Sequence, residues 1–163
     1  GNIIVLKYTP GSASTTNREN GFIETIEKEF PGIKIVDTKY GMDTVETALA
    51  AAEDLLTKNP EVDGMFAPNE SSAVGALRAL QSQGRVGKMK MIGFDAGTLL
   101  VEALRDGTID SLVIQNPYKI GYEGVKTCLA KLNGKDVPKR IDTGVALLMR
   151  DNIDTPEMQA LLK

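Results

Sequence analysis

The chain has 163 residues, 42% hydrophobic and 25% charged, with 19 Lys and Arg against 22 Asp and Glu for a net charge of −3. That mixture excludes collagen-like, low-complexity and wholly disordered classes, and its scattered basic residues form no stripe for nucleic acid. With no His, no Trp and a single Cys, the chain cannot build a Ser-His-Asp or Cys-His nucleophile system, and most zinc and haem sites lose their main ligand.

Cys128 has no partner for an internal disulfide or redox pair, and its expected role is a small buried helix residue. No apolar run approaches the ~18 residues of a membrane span, and no secretory leader pattern is present. The chain opens on Gly1 rather than Met, so it is expected to be a piece of a longer protein. At ~150 residues per domain, its length predicts one domain, or one with a small appendage.

In chain order, strands are predicted at 3–7, 33–37, 64–67, 89–94, 111–115 and 144–149. The runs Ile3-Ile4-Val5-Leu6 and Leu112-Val113-Ile114 are continuous rather than alternating, as in parallel strands buried on both faces. Between the strands lie helices with readable ends. Asp43-Thr44-Val45-Glu46 has capping-box spacing, Val45, Ala48, Leu49, Ala52 and Leu56 share a face, and Asn59-Pro60 stops the helix. Thr98 to Arg105 predicts a shorter helix closed by Asp106-Gly107. Asn116 caps a helix with Pro117 at its first position and Gly134 beyond its end, and Thr155-Pro156-Glu157 opens a last short one. The alternation predicts an open, doubly wound three-layer α/β sheet, mostly parallel. Residues 1–115 are expected to form the sheet lobe, 116–150 a helix and return strand, and 151–163 a tail with a short helix.

Ligands of such sheets sit beyond the carboxyl ends of the strands. The loop Thr9–Thr16 lacks both the Gly-Lys-Ser/Thr ending of a P-loop and spaced dinucleotide glycines, so it reads as a polar turn and cap. Arg18 falls near the first turn of the following helix, where the macrodipole disfavours a cation, so it calls for a local acceptor. Asn69 and Asp95 each follow a strand and precede a helix, and each alone reads as an N-cap; Gln115 alone reads as a polar strand end. Together, a donor fork, a carboxylate and two amides suit hydroxyl groups that both donate and accept. A phosphate would want donors only, and Asp95 opposes it.

At these residues the chain resembles the ribose-binding branch of the bacterial periplasmic sugar-binding proteins. The matching segments are Asn17-Arg18-Glu19-Asn20-Gly21-Phe22, Phe66-Ala67-Pro68-Asn69-Glu70, Gly93-Phe94-Asp95 and Ile114-Gln115-Asn116-Pro117. The resemblance implies one lobe of a two-lobed, non-enzymatic binder that delivers a sugar or polyol to a membrane ABC transporter from the periplasm. It implies ligand contacts from Arg18, Asn69, Asp95 and the hinge residue Gln115, with no cofactor or metal. Relatives place a stacking aromatic after the second strand, where this chain reads Tyr40-Gly41-Met42-Asp43, so Tyr40 is the candidate there.

The resemblance also implies a missing N-terminal lobe. The helix 117–133 carries an apolar stripe of Tyr118, Tyr122, Val125, Leu129 and Leu132, with Gly121, Gly124 and Cys128 beside it. In this chain alone it is expected to dock on a second copy as a homodimer, or to fold back on its own sheet. The alternatives are the effector lobe of a LacI-type regulator, which would be cytoplasmic, and a flavodoxin-like FMN domain using Thr9–Thr16. A phospho-acceptor receiver is excluded, because Lys7-Tyr8-Thr9 lacks the acidic pair that holds magnesium.

Overall fold

In the computed structural model, which describes residues 1–162, strands and helices alternate as the sequence predicts. The strands are β1 (Asn2–Lys7), β2 (Lys34–Tyr40), β3 (Gly64–Phe66), β4 (Lys90–Phe94), β5 (Ser111–Gln115) and β6 (Val145–Met149). The helices are α1 (Ala13–Glu29), α2 (Val45–Lys58), α3 (Glu70–Ser82), α4 (Thr98–Asp106), α5 (Pro117–Leu132) and α6 (Pro156–Leu161). One sheet runs β2-β1-β3-β4-β5-β6, parallel throughout except for β6, which is antiparallel to β5.

That order decides where the helices go. The chain steps one way from β1 to β2 and the other way from β2 through to β5. Right-handed crossovers therefore put α1 on one face and α2, α3 and α4 on the other. The continuous run Ile4-Val5-Leu6 is fully buried in β1, while the edge strand β2 alternates between exposed and half-buried positions. The main core lies under α2, α3 and α4, where Leu55, Leu77, Leu80, Met91, Leu104 and Ile109 exclude solvent. α2 and α3 press together at Gly75, where a Cβ would lie 2.6 Å from the Ala48 Cβ and 2.7 Å from the Leu49 nitrogen.

Several local expectations change. The cap of α2 is Thr44, which accepts from the Thr47 N–H, and not Asp43, because the chain becomes helical only at Val45. β2 starts one residue later than expected and runs on to Tyr40, its ladder to β1 ending on Lys7↔Tyr40. At α5, Asn116 caps by accepting from the Lys119 N–H, and Gly134 adopts φ +74 beyond the end, as its position in the sequence predicts. Cys128, expected to be buried, is exposed. The cause is that α5 stands off the sheet: none of its residues is buried, so it forms no extra layer on its own sheet either. Tyr118 and Leu132 are 80% and 82% exposed.

The two kinds of surface predict opposite responses. Gly75→Ala should lower stability by about 1–3 kcal/mol through overpacking against α2, read as a lower urea midpoint. Leu129→Ser on α5 should stay within ~0.5 kcal/mol of the parent in the same titration.

Candidate functional site

The carboxyl ends of β3, β4 and β5 meet around one cation. Arg18 lies a turn deeper in α1 than the sequence predicts, so the helix dipole does not account for it. Contacts do. Its Nη1 donates to the Pro68 carbonyl at 2.9 Å and its Nη2 to Gln115 Oε1 at 2.9 Å. The guanidinium plane stacks on Phe94, 3.8 Å from the ring centroid. Partial burial pulls the Arg18 pKa down, opposed by the nearby Asp95 carboxylate, and the group stays cationic. One turn on, Phe22 stacks on Phe66 of β3 with centroids 4.3 Å apart, seating α1 at this end of the sheet.

Asp95 follows β4 with a left-handed backbone, φ +74, and its N–H donates to the Val113 carbonyl at 2.9 Å. Neither Asn69 nor Asp95 caps its own helix with its side chain, contrary to the reading of each residue alone. Asp95 Oδ2 accepts from the Glu70 N–H at 3.0 Å, whereas Asn69 Nδ2 donates to Ser71 Oγ at 3.0 Å. Asn69 Oδ1 is buried without a hydrogen-bond partner. Beside them opens a cavity of about 370 Å³, with Glu70, Asp95 and Gln115 on its polar side and Ile120, Leu161 and Leu162 on its apolar side.

Four predicted residues thus gather: Arg18, Asn69, Asp95 and Gln115. Tyr40 does not join them. It ends β2, separated from β5 by β1, β3 and β4, or about 19 Å at ordinary strand spacing. Its ring faces Lys7 Nζ at 5.6 Å. Two contributors escaped the sequence reading. Phe94 was hidden because an aromatic ending a strand reads as core, and Glu70 because an acid in a first helical turn reads as a dipole partner. Among the described residues, no cluster of His, Cys, Asp or Glu could hold a metal ion. The group offers a fixed cation with unused N–H donors, carboxylates and amides, all at strand ends. That array can take up a neutral polyhydroxy molecule, whose hydroxyls both donate and accept.

Comparison with known proteins agrees in kind. The family described as periplasmic binding protein domain matches residues 1–136. The D-ribose/D-allose-binding protein of Pseudomonas aeruginosa is 31% identical over 138 residues, 83% of this chain and 42% of the relative. The ribose import binding protein of Escherichia coli is 29% identical over 148 residues, 91% of this chain and 49% of the relative. Among solved structures, a carbohydrate transporter solute binding protein from Agrobacterium radiobacter in complex with D-arabinose superposes with a TM-score of 0.94. It is 36% identical, and the match covers 100% of this chain and 55% of that one. The chain spans about half the length of the curated relatives it matches.

The Arg18 geometry predicts a strict requirement for the guanidinium. Arg18→Lys keeps the charge but cannot serve Pro68, Gln115 and Phe94 together, and should lower stability by about 1–3 kcal/mol. Chemical denaturation of the two proteins side by side reads this. A lysine variant as stable as the parent would show that the fork is not needed.

Proposed function

This chain belongs to the periplasmic binding protein domain family, and we propose that it supplies one wall of a sugar-binding cleft. The observation that carries the reading is the Arg18–Gln115 hydrogen bond, with Asp95 beside it, at the carboxyl ends of β4 and β5. The proposed activity is capture without catalysis. Sugar hydroxyls donate to Asp95 and accept from Arg18, while the amides of Asn69 and Gln115 do either. The names of the relatives, an import protein and a transporter component among them, support delivery to an ABC transporter outside the cytoplasm. They favour this over the regulator and flavin readings.

In this reading the rest of a two-lobed protein forms the opposite wall. Closure of the two lobes removes water from the sugar and strengthens each hydrogen bond. Residues 116–150 carry the connection, and the exposed stripe of α5 packs on the second lobe. A large side chain of that stripe gains ~1.5–3 kcal/mol when buried. A dimer of this chain in light scattering would instead point to a second copy as the cover.

A single wall leaves half of the sugar in water, so this chain alone should bind weakly. Calorimetry with ribose, arabinose, allose and xylitol should give no measurable heat for the chain by itself. The longer protein should bind one of them at about micromolar Kd or tighter, roughly −8 kcal/mol. Tight binding by the chain alone would overturn the half-cleft reading. Failure of the longer protein to bind any sugar would overturn the function.

A further inference from the structure

α3 begins without help from its own N-cap. An asparagine at that position ordinarily turns its side-chain oxygen onto an amide of the first turn. Asn69 does not: its Nδ2 donates to Ser71 Oγ at 3.0 Å, and its Oδ1 is buried with no partner. The Glu70 N–H, the first donor of α3 and one turn position short of those an N-cap side chain serves, goes to Asp95 Oδ2 at 3.0 Å, from the loop after the next strand.

Asp95 reaches that amide from a backbone at φ +74, a region that few residues with a side chain adopt and that Asp tolerates better than most. Its own N–H, bound to Val113 at 2.9 Å, anchors the turn. The exchange is mutual. The Glu70 carboxylate lies on Gly97, which opens α4 and has no side chain to cap it, so closely that a Cβ there would collide with Glu70 Oε1. The two helix N-termini that follow β3 and β4 are each faced by an acid from the other's loop.

We infer that Asp95 is a positioning residue that caps the first amide of α3 from outside and ties the loop after β4 to the start of that helix. The two loops then behave as one unit. A hydroxyl that engages Asp95 also acts on the first turn of α3, and Asn69 keeps an oxygen that no group of the helix claims. This deepens the proposed function and rests on it only for the use made of Asn69.

Amide hydrogen exchange in this chain, without sugar, tests it separately from binding. Asp95→Gly removes the carboxylate while suiting φ +74, so the fold is not put at risk by backbone strain. It should speed exchange of the Glu70 amide by about tenfold or more, as expected for losing a charge-assisted hydrogen bond. Asp95→Asn keeps an oxygen acceptor without the charge and should give a rate between those of the parent and Asp95→Gly. An unchanged Glu70 rate in Asp95→Gly would overturn the inference. So would an Asp95→Asn rate as fast as that of Asp95→Gly.

Discussion

The guanidinium of Arg18 holds this end of the molecule together. It starts from α1, on one face of the sheet, and finds acceptors at the end of β3 (Pro68) and of β5 (Gln115) while lying on the ring that ends β4 (Phe94). A lysine could reach one of these groups. Only a planar fork satisfies two acceptors while stacking on a third group. Once it is in place, Gln115 is oriented, the Pro68 carbonyl is satisfied and a positive charge faces Asp95. One side chain thus links the ends of three strands, while Asp95 is anchored by its own N–H on Val113.

The fold was legible in the sequence because its signals are local. Continuous apolar runs marked β1 and β5, Asn116-Pro117 marked the start of α5, and Gly107 at φ +86 ended α4 as Asp106-Gly107 implied. The gathering of Arg18, Asn69, Asp95 and Gln115 was legible for another reason: strand ends in a parallel sheet converge whatever the loops do. What was not legible depends on contacts between distant segments. The position of Arg18 made it look misplaced in a helix dipole, whereas its partners lie 50 and 97 residues away. Asn69 and Asp95 both read as caps of their own helices, and no local pattern says that one of them serves the other's.

Tyr40 and Cys128 show two kinds of position that local pattern does not fix. Tyr40 has the right chemistry for stacking on a sugar, but strand order places it on the edge strand over Lys7. Cys128 sits beside an apolar stripe, and a stripe implies burial only if something lies opposite. α5 has regular helix signals yet none of its residues is buried, so its periodicity gave the element and not its cover. Periodicity specifies which face wants cover. It does not say which molecule provides it.

β6 returns antiparallel to β5, with Gln115 opposite Val145 and Ser111 opposite Met149. Everything between those strands therefore leaves and re-enters the sheet at neighbouring points, about 5 Å apart. The ladder needs only that its two ends be brought together, and the core under α2, α3 and α4 makes no use of the excursion. Residues 116–144 are thus a topological insertion. Over evolutionary time they can lengthen, shorten or be exchanged between relatives without shifting the register of the lobe. The excursion can diversify while the sheet keeps its register, because the two are joined at a single pair of strands.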